Sequence, residues 1–332
     1  MGSCRSTDSF PQADFPVANL VRLLPNLDGL LATMNIRAWV KRTDLSNPIT
    51  ERGVLLVGRD GVSPTKAIGS GVFIADRLIM TARHVVEDYW DTFNKSSARM
   101  DQPGKKMADF EMFAVQAPGD SAETALWAAS KLSICPYSDM ALISVVPVDD
   151  LAKAQPPLRP LRMDILPPAV GEKIVAFGYA STRIVDEIGQ EVEFELNPST
   201  SMGTVTEVFP EKRDTRCLSF PSYAIQGHFI GGMSGGPIFN ETGELCGLVC
   251  YGLSDASVEY SDEPPVAYGV VLWPMVGIRI DHSIPSVISP PPYTLLELAR
   301  AGLMDVCDWQ HVEANVEQYE DPDGIKKIRL KN

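Results

Sequence analysis

One serine of this chain lies among glycines, in a segment that could carry nucleophilic chemistry. Residues 231–237 read Gly-Gly-Met-Ser-Gly-Gly-Pro, which places Ser234 between two pairs of glycines. A serine hydroxyl becomes an effective nucleophile beside a general base, and glycines let backbone N–H groups converge on the negative oxygen of a tetrahedral intermediate. We therefore predict that Ser234 is a nucleophile and that the amides of Gly232 and Ser234 form its oxyanion hole. A plain glycine-rich turn is the alternative for this motif taken alone.

A histidine and an aspartate lie where they could complete this chemistry. His84 follows an apolar segment, residues 78–82, and Asp139 directly precedes another, residues 140–146. Each residue alone would more often be a hydrogen-bonding histidine or a turn-capping aspartate. Their occurrence with Ser234, in the order His, Asp, Ser, predicts a catalytic triad in which His84 is the general base and Asp139 orients its imidazole.

The elements that must position these residues are short strands. Apolar runs bounded by turn residues predict strands at residues 54–58, 67–74, 78–82, 110–116, 126–132 and 140–146, then at 173–177, 192–196, 203–209, 217–225, 237–239, 245–251 and 267–273. Residues 240–243, Asn-Glu-Thr-Gly, predict a hairpin turn. Two successive sets of this size predict two closed β-barrels, with the proline-rich residues 147–170 crossing between them.

The chain divides into four regions on this basis. They are an N-terminal extension, the first barrel, the second barrel with its linker, and a C-terminal tail, at residues 1–50, 51–150, 151–285 and 286–332. The apolar spacing in residues 17–34 predicts two short helical pieces, interrupted by Pro25 and Asp28-Gly29. Apolar positions in residues 295–306 predict a helix that packs on the second barrel and runs to about Trp309, followed by a charged end that frays.

Charge and cysteine usage exclude several classes of function. A formal net charge of −14 argues against nucleic acid or an anionic membrane surface as the main partner. The start of the chain does not read as a secretory signal, and no apolar run is long enough to span a bilayer. The six cysteines are scattered, without a CxxC pair or a nearby histidine that would indicate a metal site. We therefore expect free, buried thiols in a reducing cytoplasm, with no metal and no cofactor.

The three motifs resemble those of trypsin-like serine peptidases of the chymotrypsin fold. Residues 81–86 (TARHVV), 138–142 (SDMAL) and 232–237 (GMSGGP) resemble the histidine, aspartate and serine motifs of that family. Residues 69–74 (GSGVFI) and 243–247 (GELCG) are most similar to the HtrA/Deg branch of bacterial peptidases. The resemblance covers roughly residues 50–280. It implies an all-β fold of two six-stranded antiparallel β-barrels, with the triad assembled in the cleft between them.

The chain also departs from the family's pattern. Arg83 stands directly before the histidine, where the family commonly has a small residue. The residues after 280 are too few for the PDZ domain of the HtrA branch, and there is no clear activation peptide. We therefore expect either a constitutively competent enzyme or one in which a regulatory protein partner orders the Ser234 segment.

The family's layout implies a specificity pocket lined by His228, Tyr251, Gly252 and Gly269. His228 occupies the position six residues before Ser234, where an aspartate would favour cleavage after Arg or Lys. This histidine would either favour acidic residues or form part of the rim, so a moderately apolar pocket is the default expectation. The backbone of Tyr251 and Gly252 is expected to pair with an extended substrate strand. Cys250 is expected to be a small buried side chain.

The sequence therefore predicts a cytoplasmic serine endopeptidase that acts on a protein substrate without a cofactor. The alternative is a catalytically silent trypsin-like scaffold that binds a partner. An esterase that uses the same triad is a third option, although the order His-Asp-Ser disfavours an α/β-hydrolase, in which the nucleophile comes first.

Overall fold

The structure is a computed structural model of the 332-residue chain. It describes residues 14–16, 20–23, 35–40, 51–59, 65–87, 111–117, 124–135, 137–188, 191–252, 265–280, 293–310, 312, 316–320 and 326–330. Strands form most of this part of the chain, as the short apolar runs between turn residues predict.

The first half of the chain contributes strands and one short capped helix. The strands are β1 (Asp14–Pro16), β2 (Leu20–Leu23), β3 (Asn35–Val40), β4 (Gly53–Arg59), β5 (Lys66–Ala75), β6 (Leu78–Thr81), β7 (Glu111–Gln116), β8 (Ala125–Ile134) and β9 (Ala141–Pro147). Residues 83–87, after β6, are helical. Helix α1 (Asp150–Ala154) begins at the Asp149 carboxylate, which accepts a hydrogen bond from the Ala152 amide at 2.7 Å.

The second half is also mainly strands. They are β10 (Arg162–Met163), β11 (Lys173–Tyr179), β12 (Arg183–Ile188), β13 (Glu191–Leu196), β14 (Pro198–Phe209), β15 (Ser222–Gly227), β16 (Pro237–Phe239), β17 (Leu245–Gly252), β18 (Val266–Val270), β19 (Arg279–Ile280), β20 (Tyr293–Thr294), β21 (Asp305–Val306), β22 (Val316–Glu320) and β23 (Lys326–Leu330). A 3-10 helix (Trp273–Gly277) follows β18, and helix α2 (Leu295–Arg300) follows β20.

The first barrel is closed by six antiparallel strands in the order β8–β7–β4–β5–β6–β9, with β9 pairing back to β8. All six strands send side chains into its interior, among them Leu56, Phe73, Ile79, Trp127 and Ile143. The rings of Phe73 and Trp127 meet edge to face, with 5.4 Å between their centroids. Burial of this apolar interior is the main driving force for forming the barrel.

The second barrel is closed by six antiparallel strands in the order β11–β14–β15–β18–β17–β16, with β16 pairing to both β17 and β11. Strand β10 adds to β17, and β21 adds to β10, both in parallel. The predicted turn at residues 240–243 joins β16 to β17, and its Gly243 has φ +80°. The predicted architecture of two six-stranded antiparallel barrels is therefore confirmed.

One continuous apolar cluster joins the two barrels. It contains Val72, Met80 and Leu142 from the first barrel together with Ile225 and Leu248 from the second. Alternate residues of β5, β6 and β9 fill the interior of the first barrel, and the residues between them face the second barrel. Because both faces of these strands are buried, their sequences are unbroken apolar runs rather than alternating ones.

Strand β13 lies outside the second barrel, contrary to the prediction for residues 192–196. It forms a separate sheet in the order β12–β13–β3, and β12 was not predicted. Its alternate residues Val192, Phe194 and Leu196 are buried in a third apolar cluster, against outward-facing side chains of the first barrel such as Leu55 and Phe113. The apolar alternation gives the two faces of a strand, but it does not give the partner strand.

The helix predicted in residues 17–34 is wrong for residues 20–23. These residues form strand β2, which pairs antiparallel with residues 131–134 of β8. Strand β7 pairs with residues 125–128 of β8 and extends no further along it. One edge of residues 131–134 is therefore available to another strand. A short apolar run is compatible with either period, and the available edge selects the strand. The rest of the predicted helical stretch lies outside the described residues.

The C-terminal helix is confirmed, but it is shorter than predicted. It begins with a capping box between Thr294 and Glu297 and ends at Arg300, before Gly302 with φ +71°. The positive φ favours glycine and terminates the helix. Strand β23 lies within the last dozen residues, which were expected to fray; it forms a hairpin with β22 and also pairs with β1.

The cysteines only partly match the expectation of free thiols. Cys135, Cys217, Cys246 and Cys250 are free, whereas Cys307 is disulfide-bonded. The expectation of free, buried thiols is therefore wrong for Cys307 and for Cys217, which is free but exposed. A disulfide is uncommon in a reducing cytoplasm. Among the described helices, none combines the length and the apolar character needed to cross a membrane.

Candidate active site

His84 and Asp139 form a directly bonded pair within the first barrel. The Asp139 carboxylate accepts the His84 backbone N–H at 2.9 Å through Oδ1, and its Oδ2 lies 2.7 Å from His84 Nδ1. Because an ionised carboxylate can only accept, Nδ1 is the protonated nitrogen of the ring. The remaining ring nitrogen, Nε2, is then an acceptor. The side chain of Asp139 is 8% exposed and that of His84 is 33% exposed, so the carboxylate is buried and the imidazole is partly accessible to solvent.

Two neighbouring strands place this pair. Thr81 at the end of β6 pairs with Ala141 at the start of β9, so the residues that follow β6 lie beside those that precede β9. His84 sits in the helical residues 83–87, and its own amide donates to the Asp139 side chain. The side chains are therefore held by local barrel register and not by a long flexible loop.

Cys250 is a third partner of this carboxylate that the sequence analysis did not identify. Its thiol lies on β17 of the second barrel, is 4% exposed and hydrogen-bonds to Asp139. Burial, helped by the nearby Asp139 charge, raises the pKa of the Cys250 thiol well above its ordinary value. The thiol therefore remains protonated and donates to Asp139. The signal in the sequence was its position directly before Tyr251 and Gly252, which were already singled out.

The loop that carries Ser234, residues 231–236, is packed by its backbone against the first barrel; we call it the serine loop. Gly235 has φ +80°, and a Cβ there would overlap Thr81 Oγ1 and the Ser70 carbonyl oxygen. The Ser70 amide donates to the Ser234 carbonyl at 2.8 Å. The loop therefore lies against the strand end that leads into His84, three residues after Thr81. The glycine at position 235 is required by this close approach.

The hydrogen bonds of the serine loop use three of its six amides and leave those of Gly231, Gly232 and Ser234 without an acceptor among the described residues. Met233 N donates to Ile230 O at 3.2 Å, Gly235 N to Val249 O at 2.7 Å, and Gly236 N to Met233 O at 2.8 Å. Within the described part of the chain, the amides of Gly232 and Ser234 donate to no acceptor. These are the two amides for which an oxyanion hole was predicted, and the role remains a prediction.

The structure brings two members of the predicted triad into contact, and the backbone of the third, Ser234, is bonded to Ser70 of the first barrel. Ser234 is partly exposed, and its hydroxyl has no hydrogen-bond partner among the residues described here. A hydrogen bond between Ser234 and His84 is therefore a prediction, although catalytic bonds are often long in the absence of substrate.

A cavity of about 350 Å³ opens beside the His84–Asp139 pair, between the two barrels. Its walls include Arg83 and Tyr137 from the first barrel and Arg216 and Phe220 from the second. Arg83 is neutralised by Glu87, with 2.6 Å between Nε and Oε2. The cavity therefore combines an aromatic wall with an exposed cation next to the pair.

A rigid turn presents Arg216 to this cavity. Asp214 Oδ1 accepts the amides of Arg216, Cys217 and Leu218 at 2.8, 2.7 and 3.2 Å. These backbone N–H groups, that of Arg216 first, lower the pKa of the Asp214 carboxyl. The turn is thus held by an ionised aspartate that serves as its internal cap.

The predicted specificity residues fall in different places. His228 is exposed between β15 and the serine loop. Tyr251 and Gly252 end β17, where β16 pairs only as far as Leu248, so the described strands leave this stretch of edge open on one side. Gly269 lies on β18, where an added Cβ would meet the ring of Tyr223 at 2.5 Å, so the glycine makes room for that ring; its predicted contact with substrate remains a prediction.

No group of three or more His, Cys, Asp or Glu side chains among the described residues is arranged to hold a metal ion. The site therefore consists of a buried carboxylate, an oriented imidazole, a glycine loop with a serine, and an adjoining cavity. Such an arrangement is suited to acyl transfer, in which a nucleophile, a base and preorganised N–H donors act together.

Comparison with known proteins finds one matching family and several similar solved structures. Residues 69–248, more than half of the chain, match the family described as "Trypsin-like peptidase domain". Similar solved structures include the apo MamO protease domain from Magnetospirillum magneticum, with 16% identity and a TM-score of 0.42 over 68% of this chain and 93% of that one. The active form of the Rv3671c protease from M. tuberculosis has 18% identity and a TM-score of 0.40 over 72% of this chain and 85% of that one. No curated protein matches significantly.

Proposed function

The chain belongs to the family of trypsin-like peptidase domains, and on that premise we propose that it is a serine endopeptidase that hydrolyses peptide bonds of a protein substrate. The observation that carries the proposal is the His84–Asp139 pair. With Asp139 Oδ2 2.7 Å from Nδ1, the imidazole is held in the tautomer in which Nε2 can accept a proton. This is the state that a general base requires.

In the proposed mechanism, Ser234 Oγ attacks the carbonyl carbon of the scissile bond while His84 Nε2 takes the hydroxyl proton. Asp139 stays ionised and stabilises the imidazolium. The amides of Gly232 and Ser234 donate to the oxyanion of the tetrahedral intermediate. The imidazolium then gives its proton to the leaving amine, and the C–N bond breaks to leave an acyl-enzyme. Water, deprotonated by His84, cleaves the acyl ester and regenerates the Ser234 hydroxyl.

Two features support binding of an extended polypeptide. The edge of β17 at Tyr251 and Gly252 can pair with a substrate strand through backbone hydrogen bonds, as in β-augmentation. The cavity beside His84 can receive a substrate side chain. His228, exposed before the serine loop, remains a proposed contact of the substrate at the cleaved bond.

A regulatory protein partner remains part of the proposal, because the Ser234 hydroxyl has no hydrogen-bond partner among the described residues. Binding of substrate or of such a partner would close the Ser234–His84 contact. The acidic chain, with a net charge of −14, gives no support to nucleic acid or an anionic membrane as partner. The cytoplasmic location stays a prediction from the sequence, and the disulfide at Cys307 counts against it.

Covalent labelling with a fluorophosphonate tests the proposed function directly. We expect the purified full-length protein to be labelled at Ser234 and to cleave unfolded protein substrates. Ser234→Ala should lose both properties, with kcat lower by about 10⁶-fold and an unchanged circular dichroism spectrum. His84→Ala is the companion variant, because it keeps the hydroxyl but removes the base. A well-folded wild-type protein that is neither labelled nor active, alone or with cell extract added, would instead identify a silent scaffold.

A further inference from the structure

Ser70 joins the two halves of the site, although it belongs to neither the triad nor the cavity. We propose that Ser70 is a positioning residue that holds the serine loop in the conformation in which the amides of Gly232 and Ser234 face the substrate. The inference rests on the proposed peptidase function. It adds a residue of the first barrel to the oxyanion hole of the second.

Ser70 contacts the serine loop on both sides of the residue before the nucleophile. Its backbone N–H donates to the Ser234 carbonyl at 2.8 Å, and its hydroxyl donates to the Gly232 carbonyl at 2.8 Å. Ser70 is only 1% exposed, so water does not compete for these bonds. One residue, more than 160 positions earlier in the chain, therefore fixes two of the carbonyl groups of the loop.

Planarity of the peptide group turns these contacts into control of the amides. Within one peptide unit the C=O and N–H point in opposite directions. The units after Gly232 and after Ser234 are fixed at both ends, because Ser70 binds their carbonyls while Met233 N and Gly235 N donate to Ile230 O and Val249 O. The units that carry the amides of Gly232 and Ser234 lie next to these fixed units, and their own carbonyls, Gly231 O and Met233 O, accept from Ser181 N at 3.3 Å and from Gly236 N at 2.8 Å. Each of the two N–H groups points away from its bonded carbonyl, and Ser70 holds them in place through the neighbouring units of the loop.

The direction of the Ser70 hydroxyl is itself fixed. Tyr179 N donates to Ser70 Oγ at 2.8 Å, which leaves the hydroxyl hydrogen for the Gly232 carbonyl. The Ser70 carbonyl accepts from Thr81 Oγ1 at 2.7 Å, and Thr81 is three residues before His84. Ser70 thus bonds to the strand that leads to the base and to the loop that carries the nucleophile. Ser70 therefore fixes the position of the serine loop relative to the end of β6.

Replacing Ser70 with alanine separates this role from a role in stability alone. Ser70→Ala keeps the backbone N–H and removes the hydroxyl, and with it both the bond to Gly232 O and the acceptor of Tyr179 N. We expect kcat to fall by about 10- to 100-fold with KM within twofold. The affinity for a peptide boronate, which forms a tetrahedral adduct on Ser234, should fall by a similar factor. The pH midpoint that reports His84 should not move, because the His84–Asp139 bonds are untouched.

Ser133→Ala is the matched control. Ser133 is also a buried serine of the first barrel, 1% exposed, and its hydroxyl has no hydrogen-bond partner among the residues that the structure describes. We expect its kcat and boronate affinity to stay within twofold of wild type. If Ser70→Ala does not fold, Ser70→Cys tests the same point, because a thiol of similar size is a weaker donor and should give a smaller loss in kcat.

The outcomes distinguish the inference from the function on which it rests. An active wild type with Ser70→Ala at wild-type kcat and boronate affinity, or with a shifted His84 midpoint, overturns the inference and leaves the peptidase assignment intact. A wild type that neither turns over substrate nor reacts with fluorophosphonate overturns both.

Discussion

The two halves of the site are held in different ways. In the first barrel, His84 and Asp139 are joined by direct bonds of 2.7 and 2.9 Å and sit at the ends of β6 and β9, which are paired strands of one sheet. In the second barrel, the serine loop is held mainly through backbone carbonyls, and two of its bonds come from Ser70 in the other barrel. The His84–Asp139 pair is thus built locally, whereas the loop that carries Ser234 is positioned against it across the barrel interface.

This difference separates the effects of mutations. A change within the His84–Asp139 pair should alter the chemistry and leave the fold intact. A change at the contact between the serine loop and the first barrel should alter both activity and stability. The predictions below test this separation.

Asp139→Asn gives the largest expected effect. An amide in place of the carboxylate cannot stabilise the imidazolium or enforce the Nδ1–H tautomer, so we expect kcat to fall by about 10⁴-fold. Steady-state kinetics on a peptide substrate and the rate of fluorophosphonate labelling measure the change, and affinity for a non-covalent peptide should persist. Unaltered turnover would show that the pair is a structural contact only.

Gly235→Ala tests the contact between the serine loop and the first barrel. Alanine at this position would have to keep the backbone angle φ of +80°, and its Cβ would overlap Thr81 Oγ1 and the Ser70 carbonyl oxygen. We expect the free energy of unfolding in urea to fall by about 2–4 kcal/mol, with activity lost at the same time. Gly171→Ala is the control: its φ is +89°, but nothing lies within 4 Å of its added Cβ. It should cost about 1 kcal/mol and leave kcat unchanged. Equal costs for the two variants would refute the close contact at Gly235.

The turn before Asp139 gives a pH-dependent test. Burial raises the pKa of the Cys135 thiol from 9.0 to about 11, and the Cys135 amide donates to Met140 O at 2.9 Å. A group whose pKa is raised by folding contributes stability below its unfolded pKa and loses that contribution as the pH rises toward its folded pKa.

We therefore expect the free energy of unfolding of wild type to fall by about 2 kcal/mol more than that of Cys135→Ser between pH 9 and 11. Urea denaturation at several pH values measures the difference between the two proteins. Parallel curves would mean that the Cys135 thiol does not titrate in this range.

Arg216→Glu gives the smallest expected effect, because Arg216 is exposed on the rim of the cavity. We expect kcat/KM for peptides with Asp or Glu upstream of the cleaved bond to fall by about fivefold, and that for Lys-containing peptides to rise. Arg159→Glu, an exposed arginine outside the cavity, is the control. Identical shifts for the two variants would indicate a general charge effect.

The sequence was sufficient for the barrels and for the pairing of His84 with Asp139, whereas the catalytic role of Ser234 remains a prediction. Short apolar runs predict the strands because each must bury side chains, and the three motifs have a recognisable chemical pattern. The separate sheet of β3, β12 and β13 was not predictable, because β3 lies about 150 residues before β13 and local periodicity carries no information on such pairing. The roles of Cys250 and Ser70 were missed for the same reason, since both depend on a contact from the opposite barrel.

The apolar cluster shared by the barrels has a consequence for how the protein melts. Neither barrel can unfold alone without exposing to water side chains such as Met80 and Leu248, which the other barrel covers. Calorimetry should therefore record a single endotherm for the two barrels. Fragments made by cutting the proline-rich crossover should aggregate through the apolar surface that each barrel exposes where the other covered it. Such a protein would gain or lose its cleft as one cooperative unit.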